Sequence, residues 1–390
     1  MSHVPRVSIR TRMRGRDTAE QGRASSPLEL LFDLTFVVAV AQVANQLARS
    51  VAEGTLLSNG IVPYAMVFFA IWWAWINFTW FASAYDTDDV PYRLLTMLQM
   101  GGVLVLAAGV PSAFATNDYA PITIGYIIMR VAMVAQWLRA GIEDPSSRAI
   151  AFRYAGAISV VQVLWVSRLF MPPEAAFWTF FAFAIAEMFV PVYAERRGLS
   201  AWHPGHIAER YGLFTIILLG ECVSATTIAV QGIVTAHGIS VNLLLVAIAG
   251  LVLLFALWWL YFRESSADAL ATKRSRSFIW GYGHYFLFAA VAAIGAGIEV
   301  AVEQPHSVPA VVIGYALAVP VALYFVALLA VNLWLGVVAT RPVATVAAAI
   351  LVLLVPLAAP AIGVPFVAVL IALVAAALAA FSMLVGRESD

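Results

Sequence analysis

The chain has one cysteine and few charged residues. Because Cys222 is alone among 390 residues, no internal disulfide can form and a thiolate metal cluster is excluded. Aspartate, glutamate, lysine and arginine make up only 11% of the residues, whereas 63% are hydrophobic. A soluble protein of this length needs more polar surface to face water. The composition therefore predicts an integral membrane protein.

The first 25 residues lack the features of a secretory signal peptide. They are polar and contain six arginines, and the apolar run that follows them has no small-residue cleavage site. We predict that residues 1–25 form a basic cytosolic tail. Its charge favours contact with anionic lipid over contact with nucleic acid.

Long apolar runs dominate the rest of the chain. An α-helix of about 20 apolar residues crosses the hydrocarbon of a bilayer. Runs of this kind, separated by proline, glycine or charged residues, lie at 27–48, 61–84, 93–113, 121–141, 148–169, 175–195, 206–232, 241–263, 276–300, 307–336, 342–358 and 360–385. The pattern predicts an all-α protein with about twelve transmembrane helices.

Basic residues fall almost entirely on one side of these helices. Of the 22 lysines and arginines, all but Arg49, Arg130 and Arg168 lie in the tails or in the even-numbered connections. Cytosolic connections carry the excess of positive charge in membrane proteins. We therefore expect a multi-pass protein of the cytoplasmic membrane with both termini in the cytosol.

Short strings recur about half a chain apart. A Trp pair begins at Trp72 and another at Trp258, and the string IGY begins at Ile124 and again at Ile313. Their order and spacing predict two parallel six-helix repeats, 26–197 and 198–386, as in duplicated transporters. The alternative interpretation is that the Trp pairs only mark membrane interfaces.

Two acids open the first helix. Glu29 and Asp33 are four residues apart and share one helix face, which continues through polar residues such as Gln42 and Asn45. Glu29 alone could be a helix cap after Ser26 and Pro27. Asp33 lies about 9 Å past Pro27 by helical rise, too deep for a cap. A charge at that depth needs a partner or water.

Arg130 is a buried charge that also needs a partner. Helical rise places it about 15 Å from either side of the membrane, within reach of Asp33 and of Glu187 in the sixth helix. We predict a cluster of Asp33, Arg130 and Glu187, which either fixes helix register as a static salt bridge or gates a substrate path. Glu221, near mid-membrane in the seventh helix, is a further candidate for that path.

A second polar group lies at the start of the seventh helix. His206, Glu209 and Arg210 share one face, and we expect an interfacial ion-pair cluster in which Arg210 meets Glu29. A metal site would need a second such pair, which the sequence lacks. Three further acids, Asp86, Asp88 and Asp89, lack the glycine and glutamate of a calcium loop and predict a solvated turn. We expect no metal and no cofactor.

Several strings resemble the bacterial low-temperature-requirement A family. They are ELLFDLTFVVAVAQVA from Glu29, WWAW from Trp72, HIAERYGLFTIILLGE from His206, WWLYF from Trp258 and YGHYFLF from Tyr282. The resemblance runs from about Ser26 to Glu299 and implies a multi-helix membrane protein without settling its chemistry.

A fainter likeness is to lysosomal-type potassium channels, whose two six-helix repeats open with an acidic Phe-Ser-Asp motif. Here the first helix has Leu31-Phe32-Asp33, and the matching place in the second half has Tyr211-Gly212-Leu213. That departure argues against a symmetric ion pore.

The first functional hypothesis is transport or conduction of a small solute or ion near the repeat interface. A lipid-binding or scaffold role in cold or membrane stress is the alternative that the family resemblance implies. A third hypothesis is an intramembrane enzyme, dependent on a metal or a lipid, that uses Glu29, Asp33, His206 and Glu209. No catalytic motif supports it, so we expect no enzyme. The expected partners are membrane lipids, the transported species and further copies of the chain.

Overall fold

The computed structural model describes residues 8–18, 20, 22–337 and 342–386, and its regular structure is helical throughout these ranges. Parts of the basic tail, including Arg6, residues 338–341 of the predicted second repeat, and residues 387–390 lie outside the described residues. The long helices are α1 Pro27–Ala52, α2 Ile61–Tyr85, α3 Val90–Thr116, α4 Ala120–Glu143, α5 Arg148–Arg168, α6 Pro173–Ala194, α7 Pro204–His237, α8 Val241–Phe262, α10 Ser277–Glu303, α11 Ala310–Leu335, α12 Pro342–Leu354 and α14 Val364–Gly386. Two short helices, α9 Ala267–Thr272 and α13 Ala359–Ile362, stand between them.

Twelve helical segments of the described chain are long and apolar enough to cross a membrane. The prediction of about twelve spanning helices is confirmed. Short helical pieces extend some of the spans; for example, Leu56–Gly60 leads into α2 and Val355–Ala358 joins α12 to α13. The internal duplication stays a prediction.

Local sequence explains where several helices begin and end. Asp89 caps α3 by accepting a hydrogen bond from the Tyr92 amide at 3.0 Å, and Ser240 caps α8 in the same way through the Leu243 amide. α11 ends at Gly336, whose positive φ of 74° suits a residue without a side chain.

The chain divides into two compact units. The first contains Met1–Ala39 and Ala70–Ile207, and the second contains Val40–Phe69 and Ala208–Asp390. The boundaries fall within α1, α2 and α7. In the first unit the consecutive helices α3, α4, α5 and α6 pack as neighbours, and in the second α10 packs on α11 and α8 on α14.

Small residues allow α3 and α4 to approach closely. A Cβ on Gly102 would lie 2.7 Å from the Gly125 carbonyl oxygen, and a Cβ on Gly125 would lie 2.5 Å from the Gly102 carbonyl oxygen. Beside this contact, the Gln99 amide donates to the Gln136 side chain at 2.9 Å. Backbone contact through small residues is a common means of helix association in membranes.

Residues 8–18, which we call the N-terminal strap, lie against the connections of the first unit. Arg10 pairs with Glu143 at 2.9 Å, and the Met13 amide donates to the other oxygen of the same carboxylate at 2.6 Å. The Thr11 amide donates to Asp89 at 2.8 Å. The strap is therefore held by specific carboxylates at the start of α3 and the end of α4.

The three acids after α2 belong to this arrangement. Asp89 is fully buried and pairs with Arg139 at 2.6 Å, so the prediction of a solvated turn is wrong for this residue. It is wrong because the strap, whose contacts are not visible as a pattern in the sequence, covers the turn. Burial and the Glu29 carboxylate raise the pKa of Asp86 to about 6, although Arg23 and Arg16 oppose the shift. Below that pH Asp86 becomes a neutral neighbour of Arg16, whose Nη1 lies 3.9 Å from its carboxylate.

Candidate functional site

A closed polar cluster occupies the interior of the first unit. Arg130 on α4 lies 3.3 Å from Glu187 on α6, and both side chains are almost fully buried. The expected contact between these two residues is present. The guanidinium also donates to the Tyr126 hydroxyl, one turn earlier on α4.

Two indoles complete the environment of Glu187. Trp73 on α2 donates to one carboxylate oxygen at 2.7 Å, and Trp165 on α5 donates to the other at 3.2 Å. Both oxygens are thus hydrogen-bonded, and one of them also faces Arg130. Through these contacts one buried carboxylate on α6 ties together α2, α4, α5 and α6.

Asp33 lies in a separate aromatic setting of the same unit. It is fully buried, and the Trp75 indole donates to its carboxylate at 2.8 Å. The Phe32 ring beside it packs at a tilt against Phe36 and against Phe78 of α2. The described partner of Asp33 is therefore an indole, and its membership of the cluster with Arg130 stays a prediction.

Glu29 combines the two roles that its position allows. The Ser26 amide donates to its carboxylate at 2.8 Å, and the Glu29 amide lies 3.3 Å from the Ser26 hydroxyl, which is a capping box at the start of α1. The same carboxylate lies 3.1 Å from His206 Nε2, and both side chains are buried. The cap interpretation is confirmed, and the His206 ring is a buried polar neighbour of the Glu29 carboxylate. The expected contact between Arg210 and Glu29 stays a prediction.

The second unit contains an open cavity of about 600 Å³ between α1, α7 and α10. Three glutamates line it: Glu221 on α7, and Glu299 and Glu303 on α10. Two amides of α1, Gln42 and Asn45, face the same space. Small residues on α7 and α10, among them Ala225, Gly232, Ala292 and Gly295, provide the room.

The neighbouring helices are pinned by tyrosine hydroxyls. Tyr64 on α2 donates to the Ala289 carbonyl of α10 at 2.6 Å, and Tyr285 on α10 donates to the Ala65 carbonyl at 2.8 Å. Cys222, next to Glu221, is buried and lies 3.2 Å from the Val291 carbonyl. The cavity wall is therefore a fixed part of the second unit.

His284 is an internal hydrogen-bonding residue of the second unit. Its Nδ1 lies 2.9 Å from the Trp280 carbonyl, so Nδ1–H is the donor, and Nε2 accepts from the Tyr261 hydroxyl at 3.1 Å. With this tautomer of the neutral imidazole, both ring nitrogens are hydrogen-bonded.

No three or more His, Cys, Asp and Glu side chains of the described residues are grouped so that they could hold a metal ion.

A family model places the chain. The model described as Bacterial low temperature requirement A protein (LtrA) matches residues 24–380. The chain belongs to the LtrA family. It is also 26% identical over 314 residues to RA0937 of Rhizobium meliloti (strain 1021), a protein described as uncharacterized, and the match covers 75% of this chain and 72% of that protein.

The polar residues of this LtrA protein fall into separate sets. Arg130 and Glu187 meet in the first unit, as do Glu29 and His206, whereas Glu221, Glu209 and Arg210 belong to the second. Sequence reasoning missed Glu299 and Glu303 as cavity residues. Their spacing of four at the end of α10 was the available signal, because it puts both on one helix face.

Proposed function

We propose that this LtrA protein moves a small cation, or protons, across the membrane, and that the cavity of the second unit is part of the path. The observation that carries the proposal is the set of three glutamates lining one cavity among membrane-spanning helices. Ionisable residues at such positions mark ion and proton pathways in membrane proteins.

The charge balance of the cavity favours a cation. No arginine, lysine or histidine is among its lining residues, and within the uninterrupted range 22–337 the three glutamate side chains form no salt bridge or hydrogen bond. Arg49, in the last turn of α1, is the cation whose field reaches Glu299. Glu221 and Glu299 are partly buried. An uncompensated carboxylate removed from bulk water is costly, and a cation or a proton lowers that cost.

The glutamates are staggered in depth. Glu303 is the exposed last residue of α10, and Glu299 lies one turn deeper and is partly buried. Glu221 lies near the middle of the 34-residue α7, about 24 Å from the end of that helix by helical rise. With the orientation predicted from the arginines, Glu303 is at the outer mouth and Glu221 at the deepest point.

Asp33, Arg130 and Glu187 enter the proposal in another role. The carboxylate of Glu187 is already bonded by two indoles and a guanidinium, which favours gating or positioning over direct ion contact. Asp33 is the first-unit carboxylate that we propose as a path residue, because a helix cap does not explain its depth.

Flux through reconstituted protein tests the proposal. In proteoliposomes with opposed Na⁺, K⁺ or H⁺ gradients, we expect the wild-type protein to dissipate at least one gradient. Glu221→Gln keeps the side-chain shape and removes the charge, so it should lower that flux at least tenfold without changing expression or melting temperature. Glu174→Gln, at an exposed position in the first turn of α6, is the matched control and should keep wild-type flux.

Two results would contradict the proposal. One is wild-type protein that dissipates none of the three gradients, and the other is folded Glu221→Gln protein with unchanged flux. The first result would favour the second candidate function, lipid binding without turnover, which a groove of the first unit supports.

A further inference from the structure

A second cavity, of about 610 Å³, is a groove along the outer surface of α5 and α6. Small residues form its floor, among them Gly156, Ala157 and Ala186. Exposed apolar side chains form its walls, among them Val160 and Phe189, which are 63% and 61% exposed. In a membrane-spanning protein such a surface faces acyl chains.

One end of the groove is cationic. Arg153 lines it, and Arg153 Nη1 donates to the Ala194 carbonyl at the end of α6 at 2.8 Å. Arg196 lies over the ring of Tyr193, a lining residue, at 4.5 Å, and Arg148 begins α5 next to the lining residue Ala149. The start of α5 and the end of α6 thus bring three positive charges to the same end of the groove.

These arginines differ from three others of the first unit. Arg10, Arg93 and Arg139 are paired with carboxylates. Over the stretches of chain that the structure describes, Arg148, Arg153 and Arg196 form no salt bridge. Glu195, which precedes Arg196, is bonded to the Tyr154 and Ser200 hydroxyls. The positive charge of these three arginines can therefore be neutralised by an anion from outside the described chain.

We infer that the α5–α6 groove binds an anionic phospholipid, with an acyl chain along Gly156 and Ala157 and the phosphate at Arg153. An apolar channel that ends in unpaired arginines matches the two parts of such a lipid. The arginine distribution predicts that this end is cytosolic. The inference is independent of ion transport, since the groove and the glutamate cavity share no residue.

Two substitutions test the apolar and the charged part separately. A Cβ on Gly156 would meet none of the described atoms within 4 Å, so Gly156→Leu can add a side chain to the floor of the groove from an open position. Gly101 on α3 is equally open and exposed, which makes Gly101→Leu the matched control. Arg153→Gln removes the charge, and Arg153→Lys keeps it.

The measurement is lipid binding to the purified full-length protein in detergent by native mass spectrometry. Phosphatidylglycerol and phosphatidylcholine with identical acyl chains are titrated in parallel. We expect wild-type protein to bind phosphatidylglycerol at least fivefold more tightly than phosphatidylcholine. Gly156→Leu and Arg153→Gln should each weaken phosphatidylglycerol binding at least fivefold, while Gly101→Leu and Arg153→Lys stay within twofold of wild type.

Three outcomes would overturn the inference. The first is equal wild-type affinity for the two lipids, and the second is unchanged phosphatidylglycerol binding to Gly156→Leu. The third is a dimer that Gly156→Leu converts to a monomer with lipid binding intact, which would make the groove a contact between copies.

Inorganic phosphate at millimolar concentration should leave lipid binding unchanged. Displacement of the lipid by phosphate would mean that the arginines bind a soluble anion. Because Arg153→Gln also loses a bond to Ala194, a melting curve accompanies it, and Gly156→Leu carries the test if that variant unfolds.

Discussion

Arg130 is the buried charge whose loss we expect to be most damaging in the first unit. Arg130→Met leaves the Glu187 carboxylate without its cation, and breaking a buried pair costs about 3–5 kcal/mol. Arg130→Met with Glu187→Gln should recover part of that loss, because the neutral amide oxygen still accepts from an indole. The melting temperature in detergent measures both.

The Arg93–Asp88 pair is the control for this experiment. It lies at the protein surface with a separation of 2.7 Å, and exposed pairs contribute about 0–1 kcal/mol. Arg93→Met should therefore leave the melting temperature nearly unchanged. If the Arg130 and Glu187 double variant melts no higher than Arg130→Met, the ion pair is not the reason for the damage.

Depth along the helices was enough to predict that Arg130 meets Glu187, because a buried arginine needs an acid and few acids lie at the right level. The indole partners were not predictable in the same way. Trp73, Trp75 and Trp165 stand in apolar runs, where a tryptophan is expected to pack or to mark an interface. Only the fold shows that their N–H groups point at the carboxylates of Glu187 and Asp33.

Of the two consecutive glycines of α3, Gly101 and Gly102, the second lies at the contact with α4 and the first does not. Gly102→Ala places a Cβ 2.7 Å from the Gly125 carbonyl oxygen and should separate the helices. Overpacking of this kind costs about 1–3 kcal/mol. Gly101→Ala puts the same methyl group in open space and should be neutral or slightly stabilising, since alanine is the better helix former. Thermal unfolding in detergent compares the two, and equal melting temperatures would rule out tight α3–α4 packing as the cause.

Hydropathy located every spanning helix but not all of the helix ends. The apolar run predicted 206–232, whereas α7 extends over Pro204–His237, because a helix continues through small and polar residues once its neighbours hold it. The strap could not be predicted because nothing in its own sequence indicates its position. Residues 8–18 have no periodicity, and their place depends on carboxylates far away in the sequence, such as Glu143.

Orientation is a property of the whole chain, and labelling tests it. A cysteine at Ala115 or Ser307 should react with an impermeant thiol reagent added outside intact cells, and one at Ser275 should react only after permeabilisation. The arginine distribution puts these connections on opposite sides. The native Cys222 is buried and should contribute no background. Labelling of Ser275→Cys in intact cells would invert the orientation and move the arginines of the α5–α6 groove to the outside.

The contacts of the N-terminal strap determine when it can dock during synthesis of the protein. It is the first described segment to leave the ribosome, yet Arg10 finds Glu143 only 133 residues later. At about 5–20 residues per second, synthesis of that distance takes of the order of ten seconds. Throughout this interval the docking place of the strap is incomplete, because the start of α3 and the end of α4 do not yet exist together. Its attachment is therefore a late event that follows insertion of the first four helices and closes the side of the unit that the arginine distribution predicts to be cytosolic.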